Sequence, residues 1–311
     1  MRATLERAAR AEKPGALVVI DFPDFNFSLM RRIKRQGIPV IYYISPQLWA
    51  WRAGRIRTMK RYVDRVLPIF PFEEAIYRRQ NIDVRFVGHP LIDLARPRLS
   101  REAFLGKLNL DPARPVLALL PGSRKNELER LAPVIAQAMP AIAAQVPGVQ
   151  FVIARAPNLN DGLFEPFGLS GITLRIADVQ TDDVLNACDA VITASGTATV
   201  QAALHGRPMV VLYKLSPMTY RLGRRMALVD TYAMPNLIAG RRIVVELIQD
   251  DCTPEAATAE AVRLLTDQDY RARMIAALSD VRTKLGGPGA SDRAAEAILE
   301  IARGPKVPTV P

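Results

Sequence analysis

The sequence predicts an α/β protein of two Rossmann-like domains, and three observations carry that prediction. Short apolar runs rich in Val and Ile alternate with longer helical patterns along most of the 311 residues. The runs fall into two series, separated by a polar, Pro-containing stretch at 93–115. Composition is globular, with 49% hydrophobic and 23% charged residues, 18 Gly and 24 Pro, which excludes disordered and collagen-like classes.

Residues 1–13 have the pattern of a charged amphipathic helix without an apolar stretch, so they do not read as a secretory signal. Four strand-like runs follow: AlaLeuValValIle at 16–20, ProValIleTyrTyrIle at 39–44, ArgValLeuProIle at 65–69 and ArgPheVal at 85–87. This first series looks short by some strands for a complete domain. A short helix is expected around 101–108. The second series runs ValLeuAlaLeuLeu at 116–120, PheValIleAla at 151–154, ThrLeuArgIle at 173–176, AlaValIleThrAla at 190–194 and MetValValLeuTyr at 209–213. Five strands with intervening helices make a complete Rossmann-like half. The stretch at 235–251 reads as a polar loop followed by an amphipathic helix carrying Glu246. A GlyGlyProGly hinge at 286–289 precedes a last helix at 290–302. The expected division is 1–95, 96–285, a terminal helical segment at 286–303 and a disordered tail at 304–311.

The 42 Lys and Arg against 31 Asp and Glu give a formal charge of +11. Such an excess suits an anionic partner: a nucleotide, a phosphorylated substrate or an acidic membrane surface. Aromatic residues total 6%, and no RNA-binding signature accompanies them, so nucleic acid is not the expected partner. Two cysteines, Cys188 and Cys252, do not make a disulfide framework and point to a reduced, cytoplasmic setting. With two histidines in the whole chain, a four-ligand structural zinc site is not expected. No apolar stretch approaches the roughly 18 residues of a membrane-spanning helix.

Asp21 ends the first strand-like run, at the edge where open α/β sheets place their ligands. It reads either as a general base or as part of a turn in which Asp24 or Asn26 caps the next helix. Trp49 and Trp51, followed by Arg52 and further basic residues to Arg65, suit a lipid interface beside anionic phosphate. The same basic series also reads as the solvated face of a helix burying Ile56, Met59 and Val63. In LeuLeuProGlySerArg, Gly122, Ser123 and Arg124 lie between a strand and a helix, where backbone N–H groups and a guanidinium can hold a phosphate. This is neither a Walker loop nor a GxGxxG turn, and a plain βα turn capped by Ser123 is the alternative. Ser195, Gly196 and Thr197 form a small-residue turn before another helix, open to a diphosphate or simply a connection. His205, at the far end of that helix, reads as a partner of the helix dipole. Asn236 reads as a contact to a base or sugar, or as a helix cap.

Taken together and in order, IleAspPheProAspPheAsn, SerProGlnLeuTrpAlaTrpArg, ProPheGlu, ValGlyHisPro, LeuLeuProGlySerArg, AlaSerGlyThrAlaThr and ProAsnLeuIleAlaGlyArg closely resemble lipid-A-disaccharide synthases, across residues 16–302. The resemblance implies a GT-B type inverting glycosyltransferase, with two Rossmann-like domains facing across a cleft and the C-terminal helix crossing back to the first. It implies UDP-2,3-diacylglucosamine as donor, 2,3-diacylglucosamine 1-phosphate as acceptor, a β-1,6 linkage, no metal and no cofactor. It makes Asp21 a candidate base, Arg124 important for activity, and Gly122, Ser123, Ser195, Gly196, Thr197, Gln201 and Asn236 donor contacts. Trp49, Trp51 and Arg52 fall on the acceptor and membrane side, with peripheral association to the inner membrane and a homodimer left open. Two departures stand out. The family opens with a strand and a GlyGluAlaSerGlyAsp-like loop upstream of the Asp21 position, which this sequence lacks, so the first domain is expected to be truncated. Gln201 stands where the family usually has Glu, and it can still hydrogen-bond a ribose hydroxyl, though as a neutral acceptor.

Overall fold

The computed structural model describes residues 1–48, 53–216, 220 and 230–304. The chain divides into two compact units, one formed by residues 1–93 with the C-terminal segment from Lys284, the other by most of the stretch between.

In the first unit, β1 (Leu17–Ile20), β2 (Val40–Tyr43) and β3 (Arg65–Leu67) form a parallel sheet in the order β1-β2-β3. Alternation along β2 sends Val40 and Tyr42 into one core with Phe27, Met30 and Met59, from helices Pro23–Lys34 and Ile56–Tyr62. Ile41 faces the other side, with Leu67, Val87 and the Ala294 and Ala297 faces of helix Ala290–Ala302. Ion pairs fix that helix at the sheet edge: Arg65 and Arg85 hold Glu300 at 2.6 and 2.9 Å.

The run expected as a strand at 85–87 is reduced to a single parallel bridge, Val66 to Val84. Arg85 N–H still donates to the Val66 carbonyl at 3.0 Å, and Val87 N–H to the Pro68 carbonyl at 3.4 Å. Pro68 has no N–H to return, so the ladder stops there. On the opposite flank β1 is the edge of the sheet, although its LeuValValIle sequence is apolar throughout. Ile20 is 55% exposed, and an apolar cavity of about 380 Å³ runs along the strand, lined by Leu5, Ala9, Val19, Phe25, Leu29 and Ile33 among others.

The second unit holds six parallel strands in the order β6-β5-β4-β7-β8-β9: β4 (Val116–Leu120), β5 (Gln150–Arg155), β6 (Leu174–Asp178), β7 (Ala190–Ala194), β8 (Met209–Tyr213) and β9 (Val245–Ile248). β4 and β7 are buried at every residue, which is why they read as unbroken apolar runs. Helix Lys125–Gln145 packs on helix Pro254–Thr266 on one face of this sheet. β9 corrects the sequence reading: Glu246 lies on a strand, paired with Val211 of β8, and the helix is the short one before it, Met234–Ala239.

Candidate functional site

In the six-stranded sheet the chain leaves β4 toward β5 and β6 on one flank, then returns beside β4 as β7 and builds outward through β8 and β9. The carboxyl ends of β4 and β7 therefore flank the topological switch point, where open α/β sheets hold ligands. The turns at 121–124 and 195–197 both open there.

Gly122 has φ +126°, and a Cβ at this position would come 2.6 Å from the Glu127 Cβ, so the turn accepts only glycine. The Ser123 and Arg124 N–H groups donate to the same Glu127 carboxylate oxygen, at 2.9 and 3.3 Å. The Arg124 guanidinium donates to the other oxygen at 2.8 Å. Glu127 stands in the first turn of helix Lys125–Gln145, where a carboxylate also meets the positive end of the helix dipole. Three donors, two on the backbone and one on a charged side chain, thus converge on one anion. The sequence reading named Gly122, Ser123 and Arg124 but missed Glu127, whose three-residue spacing from Arg124 was the available signal.

On the β7 side, Ser195 donates its N–H to the Leu212 carbonyl at 3.1 Å and its hydroxyl to the Tyr232 carbonyl at 3.0 Å. Gly196, with φ +143°, is exposed, and a Cβ there would meet nothing within 4 Å. Exposed Thr197 opens helix Thr197–Leu204. Tyr213, at the end of β8, stacks on Tyr232 with ring centroids 5.3 Å apart. Burial raises the Tyr213 phenol pKa, and the neighbouring Tyr232 and the Glu127 charge raise it further. These two rings are a second feature of this edge that sequence reasoning missed.

Two of the predicted donor contacts, Asn236 and Gln201, bond to their own neighbours, Asn236 through its whole amide and Gln201 through its N–H alone. Asn236 is 1% exposed and wholly engaged within the fold. Its amide nitrogen donates to the Val244 carbonyl at 3.0 Å and to Glu246 at 2.6 Å, while its oxygen accepts from the Ile243 and Val244 N–H groups at 2.7 and 2.9 Å. Glu246 also accepts from the Tyr232 N–H at 2.7 Å and from the Thr231 hydroxyl. Asn236 is therefore a staple between a helix and β9, with no hydrogen-bonding capacity left for a nucleoside. Gln201 points its amide at Asp182 at 3.5 Å, and His205 Nε2 meets the same carboxylate at 3.0 Å. His205 is thus seated by a carboxylate as well as lying at a helix end.

In the first unit, Asp21 and Phe22 follow β1 with φ of 44° and 40°, the left-handed region that L-residues rarely adopt. The turn is held by its own backbone. The Asp21 carbonyl accepts from the Asn26 amide at 2.7 Å and the Tyr42 hydroxyl at 2.8 Å, while the Asp21 N–H reaches the Tyr43 carbonyl at 3.2 Å. The Asp21 residue is exposed, so the strained turn presents an ionisable side chain at the carboxyl end of a parallel strand. Burial raises the Tyr42 pKa first, and the Asp21 charge adds to it, keeping that phenol a neutral donor. Neither Asp24 nor Asn26 caps the helix, whose N-cap is Phe22 without a side-chain bond: Asn26 lies within it and serves the turn, and Asp24 pairs with Arg55 at 2.6 Å.

Trp49, Trp51 and Arg52 lie outside the described residues. Of the basic series that follows them, Arg55 is taken up by Asp24, and Arg65 by Asp83 at 2.8 Å as well as Glu300, which removes both from any lipid-facing charge. Arg57, Lys60 and Arg61 remain exposed on helix Ile56–Tyr62, while Met59 is buried. Among the described residues no group of three or more His, Cys, Asp or Glu side chains is placed to hold a metal ion.

The family model described as lipid-A-disaccharide synthetase matches residues 1–301. The curated lipid-A-disaccharide synthase of Geobacter sulfurreducens is 44% identical over 299 residues, covering 96% of this chain and 78% of that protein. The one from Anaeromyxobacter dehalogenans is 45% identical over 301 residues, with the same coverage. Among solved structures, the UDP-GlcNAc 2-epimerase of Neisseria meningitidis, bound to UDP-GlcNAc, aligns with a TM-score of 0.68 at 17% identity, covering 96% of this chain and 80% of that one. The calicheamicin glycosyltransferase CalG4 aligns with a TM-score of 0.59 at 17% identity, covering 96% and 78%. These structural likenesses establish a shared α/β fold of GT-B type.

Proposed function

Because the chain belongs to the lipid-A-disaccharide synthase family, and is thereby a hexosyltransferase of lipid A biosynthesis, we propose how its own residues divide the reaction. The donor is UDP-2,3-diacylglucosamine and the acceptor 2,3-diacylglucosamine 1-phosphate. The acceptor 6-hydroxyl attacks the anomeric carbon from the side opposite the diphosphate. A β-1,6 bond forms as the bond to the diphosphate breaks, and UDP leaves with the electron pair.

Asp21 takes the hydroxyl proton, since the oxygen is a poor nucleophile until it is deprotonated. The leaving diphosphate gathers charge as the bond breaks, and the turn at 122–124 answers it with two N–H groups, the Arg124 guanidinium and a helix N-terminus. The open turn at Ser195, Gly196 and Thr197 admits the rest of the diphosphate closely. Asn236 acts at one remove, by holding a helix to β9, while Gln201 keeps its amide oxygen for a ribose hydroxyl. The observation that carries the reading is the pair of small-residue turns at the switch point of the six-stranded sheet, one of them armed with arginine. Calorimetric titration of UDP tests it. Saturable binding that Arg124→Ala weakens at least tenfold is expected, and equal binding by folded wild-type and variant protein would refute it.

We further propose peripheral docking on the anionic surface of the inner membrane, for which the net charge of +11 and the exposed Arg57, Lys60 and Arg61 are the support. Among the described residues no helix is long and apolar enough to cross a membrane. A homodimer is the oligomer to test, by sedimentation velocity.

A further inference from the structure

We propose that Glu127 is a gate on the donor site, an internal carboxylate that must give up the diphosphate's hydrogen-bond donors before the donor can bind. The inference rests on the UDP-sugar reading above and deepens it. A Glu three residues after a helix cap often accepts the cap N–H, and that alone would be ordinary capping. Here the carboxylate takes more. Oε2 holds the Ser123 and Arg124 N–H groups at 2.9 and 3.3 Å, and Oε1 holds the Arg124 guanidinium at 2.8 Å. These are the donors that the phosphoryl oxygens need, and each hydrogen serves one strong acceptor at a time. Carboxylate and diphosphate therefore compete for the Ser123 and Arg124 backbone N–H groups, while the guanidinium, with one N–H on Glu127, has others to offer a phosphate.

The seating of Glu127 is built into the turn. Gly122 leaves the space that the Glu127 side chain fills, a Cβ there lying 2.6 Å from Glu127 Cβ and 2.7 Å from Oε2. The Glu127 side chain is 25% exposed, so a path outward exists, whereas that of Arg124 is 75% exposed and can follow an incoming ligand. The gate sets specificity by charge. A diphosphate offers more negative charge and more acceptor oxygens than a carboxylate and so displaces it, while a singly charged ligand gains little by the exchange.

The test is titration of UDP into the full chain carrying Glu127→Gln. A neutral amide keeps the size but competes poorly for charged donors, so the UDP Kd is expected to fall about tenfold. The donor KM falls in parallel while kcat does not rise. A residue that only capped the helix would give the opposite pattern, with weaker UDP binding and a lower Tm in the variant. Unchanged or weaker binding by folded Glu127→Gln overturns the gate and leaves the donor reading standing. Failure of both folded proteins to bind UDP overturns the donor reading and the gate with it. Should Glu127→Gln not fold, Glu127→Asp serves, because a carboxylate withdrawn by one methylene releases the same donors. Tighter UDP binding is again expected, and equal or weaker binding overturns the proposal.

Discussion

Replacing Asn236 by alanine separates a ligand from a staple. The side chain makes four hydrogen bonds, at 2.6 to 3.0 Å, inside a site where the residue is 1% exposed. Alanine would strand the Ile243 and Val244 N–H groups, the Val244 carbonyl and one oxygen of Glu246. Each unsatisfied buried group costs roughly 1–3 kcal/mol, and half-buried Glu246 recovers some water, so a total of about 3–5 kcal/mol is expected. At roughly 2–4 °C per kcal/mol for a unit of this size, Tm drops by about 6–20 °C. Urea unfolding followed by circular dichroism measures the loss, and UDP calorimetry well below the variant's Tm measures affinity. Folded Asn236→Ala should bind UDP within about threefold of wild type, since a contact carrying a charge-assisted bond would cost more than that. A variant of near-normal stability with UDP binding abolished would refute the reasoning and return Asn236 to the donor contacts. Asn236→Asp sharpens the test: it keeps the oxygen that the two N–H groups need, but sets a second carboxylate where an amide now lies 2.6 Å from Glu246.

Asp21→Asn should abolish disaccharide formation, read by product chromatography, while UDP affinity stays unchanged; retained turnover removes Asp21 from the base role. Gly122→Ala meets both a positive φ and the Glu127 Cβ at 2.6 Å, and should weaken UDP binding at least tenfold by calorimetry. Burial holds the His89 pKa down to about 4, and its Nδ1 accepts from the Leu91 N–H at 3.2 Å. Its folded-state pKa lies below the ordinary 6.5, so the stability it contributes is whole above pH 6.5 and is lost as pH falls toward 4. His89→Asn should therefore flatten the acid limb of a denaturation-versus-pH curve relative to wild type. Binding to anionic vesicles should fall steeply between low and high salt as the Debye length shrinks, and Arg57→Glu with Lys60→Glu should weaken it further; salt-independent sedimentation with vesicles would favour apolar insertion alone.

The central strands were legible because burial on both faces leaves an unbroken apolar run. β4, β7 and β8 fall at 116–120, 190–194 and 209–213, where the sequence pattern puts them. β9 was not legible, because Glu246 interrupts its apolar run and looks like the polar face of a helix. What makes a half-buried carboxylate tolerable in a strand is the set of donors around it, Tyr232 N–H, the Thr231 hydroxyl and the Asn236 amide, which arrive from another segment. The strand expected at 85–87 failed for a local reason, the missing N–H of Pro68 in the partner. Strand ends were legible too: Asp21 follows β1 and the turn at 122–124 follows β4, as the sequence pattern has them. Sequence could not show that Asn236 had no bonding capacity left, or that Gln201 turns toward Asp182, because both facts depend on partners outside the motif.

Glu127 shows how stability and function meet at one helix end. The first N–H groups of any helix lack intrahelical partners and must be satisfied somewhere. On the proposed donor reading this helix end would face a conflict, since donors kept available for a diphosphate destabilise the fold, and donors capped too well exclude it. A single carboxylate, tethered three residues away and bonded to both the backbone and Arg124, answers both demands. Its charge satisfies the helix end, and its one negative charge is less than a diphosphate brings. The same geometry explains why Gly122 and Glu127 belong together: the glycine provides the space in which the carboxylate sits, and a side chain there would close the cradle to Glu127 and to a phosphate alike. On the donor reading proposed above, Arg124 would serve both the carboxylate and the diphosphate, so its loss should weaken the helix cap and UDP binding together.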